Sequence, residues 1–255
     1  MLESYLKPPY LKRQQLAKGA KTRAWAALFA GASSIFILLS LLLLVLPKSL
    51  NPLIPLHPQD DIGPMTKWKL QSLAADPVAC RQFLKLAGVT FTEVPDRRDQ
   101  NFCHVRNALR MTHGGPPLYP KSPVMACPVA AGLIVWHRHG LDPAAQATLG
   151  SPISRIDHLG TYNCRRQYGR ATGRVSEHAS ANAIDIASFR LVDGTRISVL
   201  KDWDSATVEP KSAAAFLRSA QSRACGIFKV VLGPQANAAH RDHFHFDFGP
   251  MSSCR

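Results

Sequence analysis

Acidic side chains are scarce in this 255-residue chain: 17 aspartates and glutamates face 31 lysines and arginines, for a formal charge of +14. Cysteine is both scarce and confined. None precedes Cys80, and none of the six (Cys80, Cys103, Cys127, Cys164, Cys225, Cys254) follows another at Cys-x2-4-Cys spacing, which leaves a thiolate zinc cluster without support. No internal repeat is evident. Charge is missing altogether between Ala24 and Leu46, a stretch that closes on Leu41-Leu42-Leu43-Leu44-Val45-Leu46.

That uncharged run exceeds the roughly 20 residues a membrane-spanning helix requires. A cleaved signal peptide is the rival reading, but its apolar core runs only about 7–15 residues and ends in a small-x-small site, which is missing before Pro47. Residues 24–46 therefore read as a transmembrane signal anchor. Lys7, Lys12, Arg13, Lys18, Lys21 and Arg23 precede it with only Glu3 opposing, so residues 1–23 form a basic cytoplasmic tail and everything beyond Leu46 is exported. An even cysteine count restricted to the exported side predicts disulfides formed in an oxidising compartment. Setting aside Glu3 and the six basic residues of the tail leaves 25 basic against 16 acidic residues outside, a charge of +9. An exported basic surface of this kind suits an anionic cell-wall polymer or anionic lipid heads, or is simply solvated; nucleic acid is not an expected partner.

Pro47, Pro52, Pro55, Pro58 and Pro64 mark residues 47–64 as an extended spacer, and a folded domain is expected over 65–255. Helices are expected over 78–88, over 128–139 with Gly140 as the stop, and over 213–225. Alternation predicts strands over 89–94, 154–164, 183–191, 228–232 and 243–248, with Asp193-Gly194 turning into a strand over 195–200. Residues 97–101 and 114–123 read as loops. The fold class that follows is α+β, a small central antiparallel sheet with helices packed on one side.

The chemistry is concentrated in two segments. His243-Phe244-His245-Phe246-Asp247-Phe248 alternates so that one strand face carries two imidazoles and a carboxylate and the other carries three phenylalanines. Upstream, Ser176-Glu177-His178-Ala179-Ser180-Ala181-Asn182-Ala183-Ile184-Asp185 adds another imidazole and carboxylate among small residues that permit close backbone approach. Two histidines, one aspartate and a spare acid/base are the donor set of a three-coordinate zinc ion with one position open. Asp247 shares the face of His245 and reads either as its hydrogen-bond partner or as a strand-end acid. Trp203 reads as a cleft wall or as core. His104, His137, His139 and His158 lack partner spacing and read as non-ligands.

Ser176-x-His178-x4-Ala183-x-Asp185 followed by His243-x-His245 resembles the motif pair of the LAS metallopeptidases, the group of lysostaphin-type and D-Ala-D-Ala peptidases. Residues from about Cys80 to Asp247 are closer still to the bacterial extensin-like C-terminal domain family, on Tyr162-x-Cys164-Arg165, Ser176-Glu177-His178-Ala179, Ala183-Ile184-Asp185-Ile186, Leu232-Gly233-Pro234 and His240-x-Asp242-His243-Phe244-His245. The resemblance implies a LAS-like sheet with zinc (Zn2+) bound by His178, Asp185 and His245. It implies general acid/base work by His243 or Asp242; strand periodicity favours His243, since Asp242 needs a bulge to turn inward. Ser176, Arg165 and His240 become substrate-binding candidates, Arg165 as the cation for a terminal carboxylate. The first motif of the LAS enzymes usually has glycine where this chain has Ala181, which bears on the local geometry if that position needs positive φ.

The expected function is that of a zinc peptidase hydrolysing peptide bonds in peptidoglycan stem peptides or cross-links, anchored in the bacterial inner membrane by a single pass with its C-terminal domain in the periplasm. The alternatives are a catalytically inactive wall-binding or interaction module on the same zinc scaffold, and a disulfide-held domain without metal.

Overall fold

The computed structural model describes residues 9–204 and 212–255, with side chains from Thr22 onward. Glu3 and Lys7 of the basic tail lie outside the described residues, and Lys12, Arg13, Lys18 and Lys21 are described in backbone only. The chain divides into two compact units, Met1–Pro47 and Lys48–Arg255.

Among the described residues the first unit is built on one helix, α1 (Pro9–Val45). The helix starts well before Ala24, because the basic tail contains nothing that stops it, and it ends just before Pro47, which cannot continue it. Its stretch Thr22–Val45 is long and apolar enough to cross a membrane, and none of it is buried in protein; a signal sequence meets the same description.

The second unit begins where the spacer was expected. Residues 48–64 pack against the folded body: Lys69 Nζ donates to the Lys48 carbonyl at 2.7 Å, the Met65 N–H to Ser49, and Leu56 and Ile62 lie on the hydrophobic core. Proline here shapes an irregular packed segment, with Asn51 and Pro58 buried. Two helices follow, α2 (Thr66–Ser72) and α3 (Pro77–Leu86). Asp76 caps α3 by accepting from the Ala79 N–H, and Pro77 occupies its first turn.

Next come β1 (Thr90–Val94), β2 (Arg97–Asp99), β3 (Cys103–Val105), β4 (Ala108–His113), β5 (Leu118–Tyr119) and β6 (Met125–Ala126). The segments expected as loops over 97–101 and 114–123 thus each contain a strand; β2 pairs with β3 as a hairpin, and β5 is a two-residue edge strand. Helix α4 (Cys127–Trp136) does not stop at Gly140. It passes through a π-helical turn, His137–Leu141, into α5 (Asp142–Leu149), because Gly140 fits closely against Trp136 without breaking the helical path.

The remaining elements are β7 (Ile153–Gly160), β8 (Ala183–Leu191), β9 (Arg196–Ser198), α6 (Val199–Asp202), α7 (Ala213–Ala224), β10 (Val230–Leu232), β11 (Phe244–Asp247) and β12 (Ser253–Cys254). The main sheet has seven strands in the order β12-β10-β11-β8-β7-β5, with β9 also beside β8. Its centre is antiparallel as expected, but it is larger and mixed, since β5 and β12 add parallel edges. A separate three-stranded sheet runs β1-β4-β6.

Phe244 and Phe246 point into the core and are fully buried. Trp136 of α4 meets Phe246 edge-on at 5.1 Å, Phe216 of α7 meets Phe189 at 5.2 Å, and Trp203 meets Phe244 at 5.7 Å. Trp203 is therefore core and no part of a cleft wall. The Trp136 indole N–H donates to the Ala220 carbonyl at 2.9 Å, which satisfies its one polar atom in this apolar layer.

All six cysteines are paired: Cys80–Cys127, Cys103–Cys164 and Cys225–Cys254. They join α3 to α4, β3 to the segment after β7, and the end of α7 to β12. With closed loops of 47, 61 and 29 residues in sequence separation, each contributes about 4 kcal/mol in the chain-entropy view. Phe246→Ala is expected to cost about 3–5 kcal/mol in urea unfolding with disulfides intact, because it opens a cavity between Trp136 and Phe228 on the reverse of the His245 strand; a cost under about 1 kcal/mol would show that this layer does not support the strand.

Candidate metal centre and cleft

Strand register builds the centre. β8 and β11 pair antiparallel with His245 directly opposite Asp185, while Phe244 faces Ile186 and Phe246 faces Ile184. Facing residues in such a pair project to one side of the sheet, so burying the phenylalanines forces His245 and Asp185 together on the other. His178 arrives from a 3-10 turn, Glu177–Ser180, just ahead of β8. That turn hands over to the strand through Ala181, whose φ of 56° lies in the left-handed region. The position does need positive φ, and alanine adopts it here at a cost of roughly 1–2 kcal/mol, held by its N–H on the His178 carbonyl and by its carbonyl on the Ala126 N–H.

Two imidazoles and one carboxylate converge. His245 Nδ1 lies 2.8 Å from Asp185 Oδ1, His178 Nε2 lies 3.2 Å from Asp185 Oδ2, and the two imidazole nitrogens are 3.2 Å apart. Metal–nitrogen and metal–oxygen bonds of about 2.0–2.2 Å arranged tetrahedrally separate neighbouring donors by about 3.3 Å, so the triad fits a metal ion with little adjustment. The far sides of both rings are also committed. His178 Nδ1–H donates to the Thr161 carbonyl at 3.2 Å, and His245 Nε2–H donates to Asp247 Oδ2 at 2.8 Å. These contacts leave the inward nitrogens as the ones available for ligation, the arrangement that orients metal-bound histidines generally. Asp247 is buried and its other oxygen accepts from the Gly249 N–H, so it holds His245 and is no exposed strand end.

The triad sits in an open cleft of about 740 Å3 whose lining includes Arg165, Arg174, Glu177, His240 and His243. His243 lies just ahead of β11, with Nε2 at 3.6 Å from Asp185 Oδ1 and Nδ1 donating to Asp242 Oδ1 at 2.8 Å. His240 stands beside both rings, 5.3 Å from His243 and 5.7 Å from His245 between centroids. Arg165 makes no side-chain hydrogen bond or ion pair among the described residues. Ser176, expected to touch substrate, is among the cleft-lining residues, largely buried, and its hydroxyl accepts from the His178 N–H, which fixes the ligand-bearing turn. None of His104, His137, His139 and His158 joins the triad; His139 and His158 bond the carbonyls of Pro58 and Pro120.

The chain belongs to the extensin-like protein C-terminus family. The family's model matches residues 78–255, which takes in all three disulfides, both motif segments and the cleft. Comparison with curated proteins and with solved structures finds no match.

Two features of this extensin-like domain went unread in its sequence. Thr161 acts through its backbone carbonyl, which leaves no trace in residue type. Glu177 sits in the first motif, and burial followed by the nearby Asp247 carboxylate pushes its carboxyl up although Asn182 donates to it at 2.8 Å. Around the triad, burial alone would raise the Asp185 carboxyl, but hydrogen bonds from His178 and His245 hold it well below the usual range. His240 is pushed down to about 4, first by burial and then by the adjacent imidazoles, so it is uncharged at neutral pH.

In the metal-free domain, burial opposes the charge on His245, but its bonds to Asp185 and Asp247 outweigh this and raise it from 6.5 to about 9. A raised folded-state pKa gives stability that is fully present below 6.5 and lost as pH rises through about 9. The melting temperature of chelator-treated protein is accordingly expected to fall across that interval, and metal uptake near neutral pH to release about one proton per chain. A flat profile, with no proton released in calorimetry across buffers of different ionisation enthalpy, would contradict the assignment.

Proposed function

We propose that this protein is a zinc peptidase that hydrolyses peptide bonds in peptidoglycan stem peptides or cross-links, anchored in the bacterial inner membrane by α1 with its extensin-like domain in the periplasm. The observation that carries the reading is the convergence of two imidazole nitrogens, 3.2 Å apart, on the Asp185 carboxylate, whose oxygens lie 2.8 and 3.2 Å from them, in a cleft also lined by His243, itself bonded to Asp242. The likeness of the two motifs to those of the LAS metallopeptidases supports it, as do the three disulfides and the basic tail ahead of an apolar helix.

His178, Asp185 and His245 hold the ion, and zinc at this position supplies Lewis-acid polarisation and a water nucleophile at neutral pH. His243 moves the proton. With Nδ1–H donated to Asp242, its Nε2 carries the lone pair and faces the triad, placed to take a proton from the attacking water and return it to the departing amine. Asp242, whose carboxyl is held low first by its bond to His243, fixes the tautomer and steadies the imidazolium. The two candidates for the base thus divide the work, and no bulge is needed. Arg165 offers an uncommitted guanidinium on the cleft wall for a substrate carboxylate, and neutral His240 lines the same wall.

His243→Ala is expected to keep its zinc and lose about 100- to 10,000-fold in turnover, read as new amine and new muropeptide masses from purified peptidoglycan. Asp242→Asn should retain zinc with a smaller loss. If His243→Ala instead releases the metal, His243 is a fourth protein ligand and the centre is structural; if the wild type binds zinc but yields no product from any peptidoglycan, the domain is a wall-recognition module.

A further inference from the structure

The β2–β3 hairpin has two unlike faces. Arg97, Asp99, Cys103 and Val105 turn inward and clamp the hairpin to residues 162–166: Cys103 is bonded to Cys164, Tyr162 donates its hydroxyl to Asp99, and Arg97 stacks 4.5 Å over the Tyr162 ring. At the hairpin tip, Arg166 lies 4.7 Å over Phe102. The other face carries Arg98, His104 and Arg106. Arg98 and His104 are direct cross-strand partners, and Arg106 is two residues further along the same side.

These side chains line an open recess of about 500 Å3 together with Asp96 and the edge of Arg97. The two acids nearby are already engaged. Asp96 accepts from the Asn107 N–H at 3.0 Å, and Asp99 pairs with Arg97 at 3.1 Å. Arg98 and Arg106 are exposed and make no hydrogen bond or ion pair among the described residues. Diagonal neighbours on a strand pair stand about 7–8 Å apart, and like charges so placed cost stability unless something neutralises them. A two-stranded ribbon pinned by a disulfide, with uncompensated guanidinium groups on its outward face, has the form of an oxyanion receptor: each planar fork suits a phosphate or carboxylate.

We propose that this recess binds a soluble or wall-borne polyanion through Arg98, His104 and Arg106. None of the three lines the metal cleft, so the proposal stands independently of the peptidase reading. The hairpin nevertheless abuts the segment carrying Arg165, one wall of that cleft, so a polymer held here lies beside it. A polymer is favoured over a lipid surface because no large apolar side chain is exposed between Glu93 and Arg110 to enter a bilayer.

The test uses the full-length protein in neutral detergent, titrated with fluorescently labelled polyphosphate, poly-L-glutamate and neutral dextran. Wild type should bind at least one polyanion, with affinity falling as salt rises, and the stronger of the two names phosphate or carboxylate as the group recognised. Arg98→Ala/Arg106→Ala should bind about tenfold more weakly or worse, whereas Arg98→Lys/Arg106→Lys, which keeps the charge, should recover part of the loss. The proposal is overturned if wild type binds neither polyanion better than dextran, if the double alanine variant binds like wild type, or if binding requires anionic vesicles.

Discussion

Asp185 and His245 meet across the β8–β11 ladder because the phenylalanines on the reverse face have only one place to go. A slip of one residue in this register would turn Phe244 and Phe246 towards the cleft and bury His245 in the aromatic layer, a change opposed by the loss of two fully buried rings, each worth about 1.5–3 kcal/mol in transfer terms. The polar constellation is thus positioned by apolar burial. Its own hydrogen bonds then refine it: Asp247 and the Thr161 carbonyl hold the outer nitrogens of the two imidazoles, and the inner ones point at each other and at the carboxylate.

The surrounding architecture protects that register from several directions. β8 is flanked from Asp185 to Leu191 by β7 on one side, while β11 and β9 share the other, so the strand carrying Asp185 has no free edge where the ligand lies. On the far side of β11, β10 pairs with both β11 and β12, and Cys225–Cys254 ties β12 to α7. The third ligand depends on a turn, and the turn depends on Ala181 accepting left-handed backbone geometry and on Ser176 capping the His178 N–H. Cys103–Cys164 bears on the opposite wall, fixing the β2–β3 hairpin against the segment that bears Arg165.

Much of this was legible because it rests on period-two alternation. His243 to Phe248 announces a strand with one aromatic and one polar face, and Ala183 to Leu191 announces its partner; their pairing follows once both phenylalanine and isoleucine faces seek the same core. The six cysteines, all beyond the apolar run, likewise announced disulfides, though their partners depend on the three-dimensional path. What stayed hidden was of another kind. The carbonyl of Thr161 has no sequence signature, and the capping bond of Ser176 to the His178 N–H could not be told from a cleft hydroxyl by residue type alone. Gly140 read as a stop because glycine usually ends helices, yet close packing against Trp136 carries the chain through a π-helical turn into α5. The proline-rich stretch read as an extended spacer, but Leu56 and Ile62 give it apolar surface to bury and it folds onto the body.

The central claim is that register-paired Asp185 and His245, with His178, form a metal centre. Native mass spectrometry of the disulfide-intact protein after zinc loading and exchange into metal-free buffer tests it directly. The account predicts a single zinc ion per chain, absent from Asp185→Ala while the far-UV spectrum and all three disulfides are retained. Zinc bound equally by the variant, or no zinc held by the wild type, would contradict it.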